Sequence, residues 1–246
     1  MFRLKITLAY TGTHFSGWQV QPGQRTVQGC LEAALGRIGA QPVRVVAAGR
    51  TDAGVHALGQ VVHCDLPPSR MDIPWQRALN ALLPPDMAVT EVRCVKPDFH
   101  AMFSARVKTY TYTLWQRRDC LLPQRRPFVW DTGELNQESM KRAAAVLIGE
   151  HDFNAFRNVG TPVRSTVRRL FAIHITPGPS EHELECHFQA NGFLKQMVRN
   201  LVAGMVAVGR GRLTPDDLEA LLRGRDRAPA PATAPARGLC LREVVY

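Results

Sequence analysis

Alternation of apolar and polar residues marks the beginning of the chain as a strand. Residues 3–10 follow the period-two pattern of a half-buried strand. Thr26 is placed to cap a first helix, and Pro74 stands in the first turn of a second. Three further strands are predicted at residues 43–48, 59–66 and 88–95. The predicted order is therefore β-α-β-β-α-β, which is the ferredoxin-like pattern.

The second half of the chain predicts the same order with one helix added. Its predicted strands are residues 108–115, 167–176, 183–190 and 239–245, and its helices are 135–148, 193–208 and 215–222. The predicted fold class is α+β, with two ferredoxin-like (βαββαβ) halves of largely antiparallel sheet, residues 1–104 and 105–246. Residues 228–237, rich in alanine and proline, are expected to be an extended linker leading to the last strand.

The net charge of the chain indicates what kind of partner it binds. The formal net charge is +10, and 26 of the 31 basic residues are arginine. The half 105–246 holds 21 of those basic residues and 14 of the 21 acidic ones. Because the guanidinium group presents a fixed fork of donors suited to phosphates and base edges, the composition favours a nucleic-acid partner.

Cysteine spacing limits the chemistry available to the chain. The six cysteines lie at least 26 positions apart, and no CxxC or CxH pair occurs. We therefore expect no metal site and read the cysteines as reduced thiols of a cytoplasmic protein. No apolar stretch of the sequence is long enough to predict a membrane span.

One loop stands out as candidate chemistry. Glycines at positions 49 and 54 enclose Arg50 and Asp52 between two apolar strands. In one interpretation, Asp52 caps a turn or pairs with Arg50 in a purely structural loop. In the other, Asp52 is a catalytic carboxylate beside an arginine that binds phosphates or bases. The residues of the loop alone leave both interpretations open.

The loop belongs to a longer motif. Residues 48–56, Ala-Gly-Arg-Thr-Asp-Ala-Gly-Val-His, together with segments 12–19, 99–105, 197–200 and 238–241, resemble the tRNA pseudouridine synthase A family. The resemblance implies two ferredoxin-like halves with a central cleft, and a homodimer that binds tRNA. It also implies isomerisation of uridine to pseudouridine in the anticodon stem-loop, at tRNA positions 38, 39 and 40. No cofactor is implied.

The same resemblance assigns roles to four residues. Asp52 matches the catalytic aspartate, either a nucleophile at C1′ or a base that removes a ribose proton, and Arg199 matches the arginine that pairs with it. Tyr110 matches the aromatic residue that stacks on, or hydrogen-bonds near, the flipped uracil. Arg50 is read as the group that helps to extrude the nucleotide. From the pattern alone, Arg199 also fits the rim of a buried helix, and Tyr110 fits strand packing.

A non-catalytic RNA-binding protein with paired RRM-like domains is the alternative function. RRM domains carry an aromatic-rich run on a central strand, and this chain has none. Two positions depart from the family pattern. Thr11 stands where an acidic residue or Asn is usual, and Met102 stands where Arg is usual, which removes a phosphate contact.

Overall fold

The chain folds as two units in the computed structural model, which describes residues 1–158, 160, 162–224 and 230–246. The first unit contains Met1–Arg106 and Cys240–Tyr246, and the second contains Val107–Leu239. The sequence-based division at residue 104 instead places the whole C-terminal strand in the second half. The difference arises because this strand pairs with the first unit, and strand patterning does not reveal a partner so far away in sequence.

The first unit has four principal strands and two helices. Strand β1 pairs antiparallel with both β3 and β4, and the strand order is β4-β1-β3-β10. The short strand β2 pairs antiparallel with β3, whereas β10 is parallel to it. The elements are β1 (Phe2–Tyr10), α1 (Val27–Gly39), β2 (Val46–Ala47), β3 (His56–Leu66), α2 (Trp75–Asn80), β4 (Met87–Val95) and β10 (Leu239–Val245).

Local signals explain the best-predicted elements of this unit. Along β1, every second side chain is buried, as the alternating sequence requires. Helix α1 begins where Thr26 accepts a hydrogen bond from the backbone N–H of Gly29 at 3.3 Å. Its residues Leu31 and Leu35, one helical turn apart, are fully buried.

The second unit has a four-stranded antiparallel sheet in the order β5-β9-β8-β7, and β6 lies parallel to β5. The two short strands β6 and β7 were not predicted, because two to four residues carry too little pattern. The elements are β5 (Val107–Trp115), β6 (Trp130–Asp131), α3 (Gln137–Leu147), β7 (Gly149–Asp152), β8 (Val167–Pro177), β9 (Glu183–Ala190), α4 (Met197–Gly209) and α5 (Pro215–Gly224).

Helix α4 begins four residues later than its apolar pattern predicts. The predicted start is Phe193, but Gln196 adopts φ +62°, a left-handed conformation that no helical residue has, so the helix starts at Met197. Every residue of α4 except Arg199 is buried. The exception is the residue that the sequence singled out.

Both units are thus mixed α+β, and their sheets are mostly antiparallel, which confirms the fold class at that level. Within the described part of the chain, no helix is both long and apolar enough to cross a membrane.

Candidate active site

The loop between β2 and β3 carries Arg50 and Asp52. Arg50 is exposed and Asp52 is half-buried. The loop turns back at residues 52–55, where the N–H of Val55 donates to the carbonyl oxygen of Asp52 at 3.1 Å. Gly54 occupies the third position of this turn with φ +79°, a conformation that favours glycine in turns of type II. The carboxylate therefore sits on a tight turn, which limits the positions it can adopt.

A buried hydrogen-bond network joins the loop to strands β1 and β3. The hydroxyl of Tyr10 lies 2.8 Å from Oγ1 of Thr51, the neighbour of Asp52. Gln60 donates from Nε2 to the carbonyl oxygen of Gly49 at 2.8 Å and to the Tyr10 hydroxyl at 3.5 Å. Burial raises the pKa of Tyr10 to about 12, so the phenol stays protonated and can donate to Thr51. Such satisfied buried networks make their surroundings rigid.

Two glycines after β1 lie directly against the same loop. A Cβ atom on Gly12 would stand 2.0 Å from the carbonyl oxygen of Val55. One on Gly17, whose φ is +86°, would stand 3.0 Å from the carbonyl oxygen of Thr51. The N–H of Trp18 donates to that oxygen at 3.0 Å. Only glycine permits this close approach of two backbones.

The two histidines near the loop and along β3 anchor backbone groups. Nδ1 of His56 accepts from the N–H of Gly12 at 3.0 Å, and Nδ1 of His63 accepts from the N–H of Ala101 at 3.1 Å. Among the described residues, no group of three or more His, Cys, Asp or Glu side chains is arranged to hold a metal ion.

In the second unit, Tyr110 lies on β5 with 7% of its surface exposed. Its ring meets the ring of Phe193 edge-on, with 5.1 Å between centroids. Phe193 belongs to the segment before α4, so this contact joins the strand to the beginning of that helix. Two residues along the same face of β5, the hydroxyl of Tyr112 donates to the carbonyl oxygen of Pro235 at 2.7 Å. Both tyrosines therefore have defined packing partners.

The guanidinium of Arg199 is held by main chain. Its Nε donates to the carbonyl oxygen of Ala234 at 2.7 Å. The next residue of α4, Asn200, donates from Nδ2 to the carbonyl oxygen of Phe156 at 2.8 Å and accepts from the hydroxyl of Thr233 at 2.8 Å. Adjacent residues of the helix thus both contact the segment at 233–234.

The alanine- and proline-rich segment is therefore more than a linker. Residues 228 and 229 of the predicted linker lie outside the described residues, whereas residues 230–237 are described. Carbonyls of this part accept hydrogen bonds from Arg199 and Tyr112, and it ends in a 3-10 turn at Ala236–Gly238. A Cβ on Gly238 would meet the Tyr112 ring at 2.5 Å. Proline removes donors but keeps acceptors, so the segment suits this role.

The four residues singled out from the sequence fall into two pairs. Arg50 and Asp52 share one loop of the first unit, and Tyr110 and Arg199 belong to the second unit, on β5 and α4. The pairing of Asp52 with Arg199 stays a prediction.

Sequence reasoning missed the residues that support the loop. Gln60 is a polar residue beside an apolar stretch of β3, and it is fully buried. A buried amide requires partners, so its position beside the motif was a usable signal. Tyr10 ends the alternating pattern of residues 3–10, and period-two patterning does not show where its hydroxyl points.

Comparison with known proteins shows which family the chain belongs to. A family model described as tRNA pseudouridine synthase matches residues 6–104 and 143–246. A protein named tRNA pseudouridine synthase A from Solidesulfovibrio magneticus is 55% identical over all of this chain and 92% of its own length. Proteins of the same name from Maridesulfovibrio salexigens and Geobacillus kaustophilus are 49% and 44% identical, over 100% and 99% of this chain and 91% and 94% of their own lengths. The motif around Asp52, the fold that holds it and these full-length similarities lead to one conclusion: the chain belongs to the tRNA pseudouridine synthase family and is an isomerase that makes pseudouridine in tRNA.

Proposed function

We propose that this isomerase acts on uridines of the anticodon stem-loop, at tRNA positions 38, 39 and 40, with Asp52 as its catalytic carboxylate. The observation that carries the assignment of Asp52 is its fixed, half-buried position, and the anticodon target rests on the resemblance of the sequence motifs. Its loop is held by the buried network of Tyr10 and Gln60 and by the close contacts of Gly12 and Gly17. Reactive carboxylates depend on such orientation, because an error of about 1 Å costs roughly 100-fold in rate.

The reaction needs one carboxylate and no atom from outside. The bond between N1 of uracil and C1′ of ribose breaks, the base rotates, and C5 forms the new bond to C1′. In one route, Asp52 attacks C1′ and is released when C5 bonds there. In the other, Asp52 removes a ribose proton as the bond from N1 to C1′ breaks, which gives a glycal, and returns that proton to the ribose when C5 bonds to C1′. Both routes end with loss of the C5 proton and a gain of one proton at N1, so the product is an isomer of uridine.

The remaining roles follow from charge and position. We assign Arg199, the one residue of α4 that is not buried, to the stabilisation of the ionised carboxylate of Asp52. Tyr110 is assigned to the flipped uracil, and exposed Arg50 to the space that the flipped nucleotide leaves in the helical stack. Two ferredoxin-like halves, a homodimer and a cytoplasmic location complete the proposal on the basis of the resemblance.

Replacement of the carboxylate tests the central assignment. Asp52→Asn and Asp52→Ala should abolish release of tritium from tRNA labelled at C5 of uridine, while tRNA binding persists. Asp72→Asn, at an exposed aspartate of the same unit, is the matched control and should leave the rate unchanged. Full tritium release by Asp52→Ala would overturn the assignment.

Position is tested separately from chemistry. Purified protein, incubated with unmodified tRNA and no added cofactor, should produce pseudouridine that mass spectrometry maps to the anticodon stem-loop. Pseudouridine only in another arm of the tRNA would contradict the proposed target while leaving the assignment of Asp52 intact.

The roles given to the two arginines both predict a defect in kcat and not in tRNA binding. Arg50→Ala should lower kcat more than it weakens tRNA binding, because extrusion of the base precedes chemistry. Arg199→Ala should also lower kcat, with the affinity for tRNA retained. Arg37→Ala, an exposed arginine of α1, is the control for a loss of positive charge. An unchanged kcat in either active-site variant would refute the role given to that residue.

A further inference from the structure

The most exposed large apolar side chain of the described residues is Phe103, with 80% of its surface accessible. Its ring stacks on the imidazole of His100, with 4.3 Å between centroids and 25° between planes. Because so little of the ring is covered, the hydrophobic contribution of Phe103 to folding is small. The catalytic roles proposed above do not use this residue.

The loop that carries Phe103 is held in one shape by its own hydrogen bonds. The N–H groups of Met102 and Phe103 both donate to Nδ1 of His100 at 3.2 Å. The N–H of His100 donates to Oγ of Ser104 at 3.0 Å, and the N–H of Ser104 donates to the carbonyl oxygen of His100 at 2.8 Å. The stacked pair is therefore formed before any ligand arrives, which reduces the entropy cost of binding.

Buried groups also attach this loop to the body of the first unit. Ala101 is fully buried, its N–H donates to Nδ1 of His63 at 3.1 Å, and its carbonyl oxygen accepts from the hydroxyl of Tyr246 at 2.9 Å. Burial, together with repulsion from Arg3 and His100, lowers the pKa of His63 to about 4. At neutral pH, His63 thus remains the uncharged acceptor that this anchor requires.

The stacked pair of Phe103 and His100, here called the platform, suits a planar π-system that lies near negative charge. An aromatic ring with one face supported and the other accessible stacks with nucleobases of any identity. Exposed Lys96 and Arg106 flank the loop in sequence, with Asp98 as the one acidic residue between them. These two cations favour a ligand that carries phosphates along with its bases.

We propose that Phe103, backed by His100, is a stacking site for an unpaired base of the tRNA substrate. The proposal rests on tRNA as the substrate and not on the roles assigned to Asp52 or Arg199. The hydroxyl of Tyr10 contacts Thr51, the neighbour of Asp52, and Tyr10 pairs with Ala57 of β3. His63, under the platform, lies six residues along β3 from Ala57, or about 20 Å at the usual rise per residue. The stacked base is therefore a different nucleotide from the reacting uridine.

Three substitutions test the platform. Phe103→Ala should raise both the Kd and the KM for tRNA by about 10-fold, within the range measured for the loss of one stacked base, with kcat unchanged. Phe103→Trp should keep both constants within about two-fold of the wild type, because indole also stacks. Met71→Ala removes another exposed apolar side chain of the first unit, 54% accessible, and should change neither.

Fluorescence gives an independent readout of stacking. In Phe103→Trp, emission from the introduced indole should fall when tRNA is added, and the wild-type protein, with its own tryptophans, provides the baseline. An unchanged Kd for Phe103→Ala would overturn the proposal. The proposal would also be overturned if Phe103→Ala lowered the oligomeric state in sedimentation while the tRNA affinity per subunit stayed the same. The ring would then be a contact with a second copy of the chain. If the assignment of Asp52 were wrong, Asp52→Asn would be active, and the Kd and fluorescence measurements on the Phe103 variants would be unaffected.

Discussion

Addition of one methyl group at Gly12 should inactivate the enzyme without unfolding it. The backbone of Gly12 has an ordinary φ, so alanine introduces no conformational strain of its own there. The new Cβ would, however, lie 2.0 Å from the carbonyl oxygen of Val55 and 3.0 Å from the carbonyl carbon of Gly54. Both neighbours are main chain of the turn that carries Asp52, so no side-chain rotation can relieve the contact.

The required movement can be estimated from these distances. Ordinary van der Waals contact begins at 3.4 Å, so Gly12 and Val55 must separate by about 1.4 Å. Displacement of a reacting group by about 1 Å costs roughly 100-fold in rate, so kcat should fall by at least that factor. Overpacking costs about 1–3 kcal/mol, equivalent to a decrease in Tm of about 2–12 °C for a chain of this length.

Tritium release from C5-labelled tRNA, measured well below the Tm of the variant, gives kcat, and circular dichroism gives the Tm. Gly224→Ala is the matched control, since a Cβ there meets nothing within 4 Å. It should change neither quantity. If Gly12→Ala lowered the Tm but kept kcat within three-fold of the wild type, the turn would not need to hold Asp52 in one place, and the reasoning would be refuted.

Three further predictions concern stability and geometry. Arg125→Met leaves the buried carboxylate of Glu183 without its bidentate partner at 2.5 and 3.0 Å, and should lower the free energy of unfolding by about 3 kcal/mol; an unchanged urea midpoint would contradict this. The pKa of His63 is about 4 in the folded chain and 6.5 in the unfolded chain, so the unfolded chain takes up a proton more readily. The contribution of neutral His63 to the free energy of unfolding should therefore be fully present above pH 6.5, and about 1–2 kcal/mol should be lost as the pH decreases to 4. His63→Asn should lack this loss of stability between pH 6.5 and 4. If the free energy of unfolding of the two proteins changed with pH in parallel, the role given to His63 would be contradicted. Tyr112→Phe removes the donor to Pro235 and should cost about 1 kcal/mol and lower kcat; wild-type kcat would show that Arg199 does not depend on this anchor.

Local patterning was enough to find most elements of the fold. Alternation located β1, the Thr26 cap located α1, and β10 was predicted with the bounds that the structure has. These features depend on residues close to one another in sequence, so a single chain displays them. The pairing of β10 with β3 depends on contacts between residues 184 positions apart, which no local pattern encodes.

The candidate site shows the same limit. Resemblance supplied Asp52 and Arg199, but not the way in which each is held. Gln196 makes α4 start later than its apolar pattern predicts, because its backbone is left-handed, a conformation that non-glycine residues rarely adopt. The neighbouring residues give no sequence signal of this conformation. The network of Tyr10, Thr51 and Gln60 joins three separate segments, so it becomes visible only when the strands are paired.

Asp52 and Arg199, the two proposed catalytic side chains, are both held by segments whose composition is typical of loops and linkers. Asp52 lies on a glycine-bounded loop packed against two other glycines, and Arg199 donates to a carbonyl of an alanine- and proline-rich stretch. Residues without long side chains allow main chain to come within hydrogen-bond distance, and carbonyls outside a helix or a sheet ladder remain available as acceptors. In this fold, the small residues of these two segments therefore allow the main chain to approach closely enough to hold Asp52 and Arg199 in place. Substitutions that add bulk to these segments should damage catalysis more than their small effect on the apolar core would imply.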